Sequence, residues 1–396
     1  MNPIVKITSQ GSEFLKKGQS WMYANNLASD IDVYDNGCIV DIESEDGEYL
    51  GTGMLSKNSH ITVRIMSYDR NEVFDSAFFA NRIEQAWEYR KTVESDNLDN
   101  CRVIFGEADF LPVLTVDRYN SVLVTQITSY GMEIRKDMIY DALVSVLQND
   151  GQKVTAIYER NDVTSRKKEG LNLYKGFYGN TSADTVQVIS ENGLLLNVDI
   201  ENGQKTGYFL DQKSNRVLLR HIAKGKTVLD CFTHTGGFAL NAAYGKASHV
   251  TAVDVSAVAL AEGRANAQLN HLTNVEFVQA DVFDYLETLK QGQYDIIVLD
   301  PPAFTKSRKT VMKAYNGYKR INKQAMHVLA HGGYLITCSC SRYMETDLFE
   351  KMLIEAAAET GVKLKQVSVT QQNGDHPILW SMNETSYLKF YIFQVW

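Results

Sequence analysis

The chain has 396 residues, enough for two or three domains at roughly 150 residues each. Hydrophobic residues make up 44% and charged residues 22%, which excludes a disordered chain. A formal net charge of −8 excludes a protein that coats nucleic acid with its whole surface, though not one with a local basic patch.

Five cysteines, Cys38, Cys101, Cys231, Cys338 and Cys340, include no Cys-x-x-Cys pair. Neither a disulfide framework nor a metal site is expected, and a reducing cytoplasm is the simplest location. The start, Met-Asn-Pro-Ile-Val-Lys, lacks a basic stretch followed by an apolar run, so no signal peptide is expected. Nowhere do ~18 apolar residues follow one another, so no membrane span is expected either.

In chain order, residues 1–70 carry β-type alternation at 38–42, 49–55 and 61–65, with Asp46-Gly47 as a turn signal. Such a set predicts a small β-barrel. Residues 75–93 read as a helix with Phe78, Phe79, Ile83 and Trp87 on one face. Strands at 114–117 and 121–127 precede a helix near 133–148, whose Ile134, Met138, Ile139, Leu143 and Leu147 follow the 3.6-residue period. Further strands at 155–159 and 194–198 complete the picture of a small α+β unit ending near residue 190.

From about residue 220, strand and helix alternate. Strands at 227–230, 249–254, 275–279, 295–300 and 334–337 are each followed by a helical pattern, which predicts a parallel sheet covered on both faces. Two final strands, at 364–370 and 387–393, have the character of an edge hairpin. No Pro/Gly/Ser-rich linker separates these regions, so the expected domains, 1–70, 71–190 and 191–396, meet at tight joints.

The first strand-to-helix turn of the last domain reads Asp230-Cys-Phe-Thr-His-Thr-Gly-Gly237. Gly236 lets the backbone approach a ligand closely, but the spacing is not the Gly-x-Gly-x-x-Gly of a pyrophosphate cradle. Asp230 would repel an anion and attract an ammonium group. Asp254 can accept both hydrogen bonds of a ribose diol, Asp281 can reach an adenine amino group, and Asp300 closes the fourth strand. Four carboxylates at the carboxyl edge of one sheet favour a cationic, adenosine-bearing cofactor without phosphates, S-adenosylmethionine. The expected cofactor set is Asp230, Phe232, Thr235, Gly236, Asp254, Asp281 and Asp300.

On the acceptor side, Asp300-Pro301-Pro302-Ala303-Phe304 stiffens the loop around a carboxylate that can face a planar base. The next strand ends in Thr337-Cys338-Ser339-Cys340-Ser341. Side chains alternate along a strand, so at most one of the two thiols faces the active edge. A thiolate that attacks carbon 6 of a cytosine makes carbon 5 nucleophilic toward a methyl donor, and loss of the carbon-5 proton then frees the enzyme. Beyond the loop, Lys306, Arg308, Lys309, Lys313, Lys319, Arg320 and Lys323 occur without an acidic residue, with Tyr315 and Tyr318 between them for base stacking. Arg160, Arg166, Lys167, Lys168 and Lys175 form a weaker cluster, whereas residues 1–70 hold six basic against ten acidic residues.

These segments resemble bacterial 23S ribosomal RNA cytosine-C5 methyltransferases of the RlmI type over essentially the whole chain. Matching stretches are Lys16-Lys-Gly-Gln-Ser-Trp21, Gly106-Glu-Ala-Asp-Phe-Leu-Pro112, Thr115-Val-Asp-Arg-Tyr119, Ile157-Tyr-Glu-Arg160, Asn202–Gln212, the Asp230 turn, the Asp300 loop and Ser339-Cys340-Ser341. The resemblance implies an α/β protein: a PUA barrel, a small β-β-α-β-β domain and a Rossmann-like methyltransferase domain. It implies Cys340 as nucleophile, Asp300 beside the base, and Cys338 as packing. Pro301, Phe304, Lys306, Arg308 and Lys309 would then face RNA, and a homodimer is implied as well. A related branch with a similar Asp-Pro-Pro-x-Phe loop methylates guanine N7, which needs no thiol. A non-catalytic RNA-binding assembly factor is the alternative from another class.

Overall fold

The computed structural model describes residues 2–305 and 307–396. The chain divides into two units, one of residues up to Ile189 with Val198–Leu210 and Gly374–Thr385, the other of Ser190–Asn197, Asp211–Asn373 and Ser386–Trp396.

The first unit begins with β1 (Ile4–Ile7), α1 (Ser9–Lys16), β2 (Trp21–Tyr23), β3 (Ile39–Ser44), β4 (Tyr49–Leu55) and β5 (Ile61–Ser67). The five strands form one sheet in the order β1-β3-β4-β5-β2. Val5, Ile7, Met22, Val40, Ile42, Leu55 and Val63 fill its core. At Gly53 a Cβ would sit 2.3 Å from the carbonyl oxygen of Arg64, so β4 and β5 approach too closely for any side chain. The helix α1 was not expected; Thr8 caps it by accepting from Gly11 N at 3.2 Å.

α2 (Ser76–Val93) starts where Asp75 accepts from Ala77 N and Phe78 N, each at 3.0 Å, and it buries Phe78, Phe79, Ile83 and Trp87 on the expected face. It covers a sheet of β6 (Asn100–Phe105), β7 (Leu114–Tyr119), β8 (Val122–Ile127), β9 (Ala156–Asn161) and β10 (Tyr174–Phe177), in the order β10-β9-β8-β7-β6, together with α3 (Tyr130–Glu133) and α4 (Lys136–Asn149). β6 adds a strand to the β-β-α-β-β order. Buried ion pairs tie the unit together. Arg90 meets Asp109 at 2.5 and 2.7 Å, and Arg102 meets Asp117 at 2.6 and 2.7 Å. Arg90 also donates to the Asp375 carbonyl at 2.9 Å, which joins the 374–385 segment to this unit. A two-stranded ladder follows, β11 (Val186–Glu191) with β12 (Leu194–Asp199).

The second unit contains α5 (Lys213–Ile222), β13 (Thr227–Cys231), α6 (Gly237–Tyr244), β14 (His249–Asp254), α7 (Ala257–Leu269), β15 (Val275–Gln279), α8 (Val282–Glu287), β16 (Tyr294–Leu299), α9 (Val311–Val328), β17 (Leu329–Ser339), α10 (Thr346–Thr360), β18 (Leu364–Thr370) and β19 (Lys389–Val395). Its seven-stranded sheet runs β15-β14-β13-β16-β17-β19-β18. The first five strands are parallel; β19 enters antiparallel between β17 and β18. The strands are apolar on both faces because helices cover both. On one side Leu229, Ile297 and Leu335 meet α9 and α10; on the other Val228, Val250 and Ile296 meet α5 and α6. β13 stands between β14 and β16, where the strand order reverses, and that is where a doubly wound sheet opens a crevice.

Candidate active site

Asp230, the last residue but one of β13, is 1% accessible. Its Oδ2 accepts from Thr233 Oγ1 at 2.6 Å and from Ala239 N at 2.9 Å. Oδ1 is buried with no hydrogen-bond partner among the described residues. Burial pushes this carboxyl up to about 7, against the lowering effect of those two hydrogen bonds, and the charges of Asp300 and Asp254 push the same way. A buried carboxyl oxygen left without a partner at a sheet switch point has capacity for a ligand's donor or cation.

The turn after Asp230 is conformationally demanding. Phe232 and His234 adopt φ of 61° and 52°, and Gly236 lies at 86°. A Cβ on Gly236 would meet Leu240 Cγ at 3.3 Å and Phe277 Cε1 at 3.4 Å, so glycine answers both to the dihedral and to the space. Thr235 is buried beside it. Asp254 fixes this turn from the next strand: Oδ2 accepts from His234 N and Oδ1 from Ser256 N, each at 2.9 Å. Each oxygen keeps a further lone pair for a diol. Asp281 is exposed, and it caps α8 by accepting from Phe283 N at 2.8 Å and Asp284 N at 3.3 Å. It follows β15, two strands from Asp230.

On the other side of β13, Leu299 pairs with Cys231 and Thr337 with Leu299, so Asp300 and the end of β17 run on side by side past the last β16–β17 pair. Gln212 Nε2 donates to Asp300 Oδ2 at 3.0 Å. Cys338 is fully buried, and burial pushes its thiol well above the ordinary range. Cys340 is half-buried, with Sγ 4.0 Å from the Pro301 carbonyl oxygen. Pro301 is buried, Pro302 exposed. The Phe304 ring packs among Tyr318, Phe283 and Phe232 at 4.6, 6.2 and 6.5 Å between centroids, on the core side of the loop.

The basic stretch differs from its sequence reading. Lys306 lies outside the described residues. Arg308 and Lys309 are exposed ahead of α9. Lys319 pairs with Glu355 at 3.0 Å and with Glu359, Lys323 with Glu359 at 2.6 Å, and Arg320 with Glu287 at 2.8 Å. The missing counter-charges are supplied by α8 and α10. Tyr315 and Tyr318, expected to stack on bases, are instead 5% and 0% exposed: the 3.6 period turns both toward the sheet, where Ser339 Oγ donates to the Tyr318 hydroxyl at 3.1 Å. In the second cluster, Arg160 pairs with Asp162 at 3.2 Å and Arg166 with Glu133 at 2.9 Å, both as buried structural groups.

Two polar groups at this edge were not anticipated. Gln212 closes the Asn202–Gln212 segment, whose specificity was visible but whose contact with Asp300 was not. Lys389, buried at the start of β19, had no sequence signal at all.

The matches to known proteins agree with this architecture. A family model described as S-adenosylmethionine-dependent methyltransferase matches residues 177–392, and a PUA-like domain model matches 5–68. Ribosomal RNA large subunit methyltransferase I of Klebsiella pneumoniae (strain 342) is 40% identical over 380 residues, 95% of this chain and 94% of that protein. A solved methyltransferase complexed with SAH is 25% identical with a TM-score of 0.85, covering 99% of this chain and 100% of its own. A Streptococcus mutans structure described as a SAM-dependent methyltransferase is 24% identical, with a TM-score of 0.83 and coverage of 99% and 100%. On the family model over residues 177–392 and the 40% identity over 95% of its length, this chain is an S-adenosylmethionine-dependent methyltransferase of the ribosomal RNA large subunit methyltransferase I family.

Proposed function

We propose that this protein methylates carbon 5 of a cytosine in large-subunit ribosomal RNA, with Cys340 as the nucleophile. The observation that carries this reading is the half-buried Cys340 thiol, 4.0 Å from the Pro301 carbonyl and one strand from Asp300. The printed name of the 40% identical relative supports the RNA substrate, and the PUA-like match supports a chain that holds RNA. Such a substrate places the protein in the cytoplasm.

The bound cofactor supplies an electrophilic methyl group. Cys340, as thiolate, adds to carbon 6 of the base, and the electron pair of the 5,6 double bond becomes available at carbon 5. After carbon 5 has taken the methyl, loss of its proton restores the double bond and expels the thiolate. Asp300 faces the base near N3. Protonated, it donates to N3; ionised, it accepts from the neighbouring amino group. Asp230 and Asp254 hold the cofactor, while Phe232, Thr235 and Gly236 shape its crevice. Asp281, although it caps α8, keeps acceptor capacity for the adenine amino group. Arg308 and Lys309, with Lys306, meet the RNA backbone. Flipping a stacked base into the site costs on the order of a few kcal/mol, which backbone contacts offset.

The test is methyl transfer to unmodified large-subunit RNA by the Cys340→Ala and Cys338→Ala proteins. Loss of 5-methylcytosine with the first and its retention with the second is expected. Normal transfer by Cys340→Ala would exclude a thiol mechanism and leave a thiol-free reaction such as guanine-N7 methylation.

A further inference from the structure

Lys389 opens β19 directly opposite Ser339 of β17. Only 7% of it is exposed, and Nζ donates to the carbonyl oxygens of Ser341 at 2.7 Å and Tyr387 at 2.8 Å. Neither acceptor carries a full charge, so the ammonium is poorly compensated by its hydrogen bonds alone. One of them belongs to the residue directly after Cys340. The lysine thus grips the turn that presents the thiol.

The surrounding charges explain why a cation there matters. The carboxyls nearby, Asp300 directly after β16 and Glu345 ahead of α10, would when ionised oppose formation of a thiolate at Cys340. Cys338 on β17 and Tyr318 on α9 are held neutral by burial. Lys389 is brought down to about 8 by burial, while Cys340 and Glu345 act to keep it protonated. Coulomb coupling is reciprocal: whatever the Cys340 thiolate does for the ammonium, the ammonium does for the thiolate.

We propose that Lys389 is the positioning residue of the nucleophile, its ammonium anchoring the Cys340–Ser341 turn and stabilising the thiolate as the thiol proton leaves to solvent. The role rests on Cys340 being the nucleophile, but its test reads the thiol without methyl transfer.

Iodoacetamide labelling of the full-length protein from pH 6 to 10, with the Cys340 peptide followed by mass spectrometry, gives the titration midpoint of that thiol. Half-buried Cys38 serves as the internal reference. In Lys389→Met the Cys340 midpoint should rise by about one unit, and its labelling at pH 7 should slow roughly tenfold, with Cys38 unchanged. An unmoved midpoint overturns the proposal. Should Lys389→Met fail to fold, Lys389→Arg decides, because its charge persists across the whole range. A midpoint at or below that of the unmodified protein supports the role, and a rise of a full unit overturns it. A shifted midpoint combined with normal methyl transfer by Cys340→Ala would uphold the coupling and remove the nucleophile assignment instead.

Discussion

Gln212 and Asp300, 88 residues apart in sequence, are joined by a hydrogen bond of 3.0 Å from Nε2 to Oδ2. The glutamine is itself held: its Oε1 accepts from Asn215 Nδ2 at 2.7 Å, and Asn215 Oδ1 accepts from Thr370 Oγ1 at 2.7 Å. A relay from β18 through α5 therefore sets the orientation of the Asp300 carboxyl, the group proposed to face the acceptor base.

Removing the relay should cost activity more than stability. A hydrogen bond to a charged group contributes about 1.5–3 kcal/mol. Gln212→Ala is accordingly expected to lower kcat/KM roughly tenfold to a hundredfold, mostly through kcat, with an unfolding midpoint close to that of the unmodified protein. Steady-state methyl transfer beside a urea titration checks this. Unchanged kinetics would mean that Asp300 needs no external support.

The strand-helix alternation and the position of the carboxylates at the strand ends were readable because both are local. Apolar runs of strand length broken by 3.6-period segments give the sheet, and Asp230 and Asp254 lie within the last two positions of their strands while Asp300 directly follows its own. What escaped was decided at a distance. Tyr315 and Tyr318 sit among lysines in sequence but turn inward on α9, since period alone does not say which stripe meets the sheet. Lys319 and Lys323 lack nearby acids along the chain, yet Glu355 and Glu359 lie across from them, the closest pairs 36 residues apart. Lys389 reaches the Ser341 carbonyl, next to Cys340, only because β19 inserts beside β17 rather than at the sheet edge. No local pattern encodes that insertion.

The same long-range pairing divides the basic stretch into two kinds of charge, and salt dependence separates them. Arg308 and Lys309 are exposed, whereas Lys319 and Lys323 are engaged with glutamates. Each phosphate contact contributes about 0.7–0.9 to the slope of log K against log salt. Replacing Arg308 and Lys309 by Ala should flatten that slope by about 1.5, and replacing Lys319 and Lys323 should leave it unchanged. Filter binding of RNA between 50 and 300 mM salt (roughly the range over which screening changes most) measures both. A slope equally reduced by the second pair would return the whole stretch to RNA binding.

Asp230 should make cofactor binding depend on pH near neutrality. Its carboxyl is moved from an ordinary 3.8 to about 7 by burial. Between these values the folded chain keeps a proton that the unfolded chain has lost, so this group's contribution to stability is present at low pH and falls as pH rises through the window. A bound cation favours the ionised form and acts in the opposite sense. At pH 6 about a tenth of the carboxyls are ionised and at pH 8 about nine-tenths, so affinity for S-adenosylmethionine should weaken about tenfold from pH 8 to pH 6, with proton release on binding at the lower pH. Calorimetric titration in buffers of different ionisation enthalpy reads both quantities. In Asp230→Asn the carboxyl-linked proton release should vanish and affinity should be low at every pH. Equal affinity at pH 6 and pH 8 in the unmodified protein, with no such release, would mean that Asp230 does not sense the cofactor's charge and that its orphaned oxygen is answered by something else in the crevice.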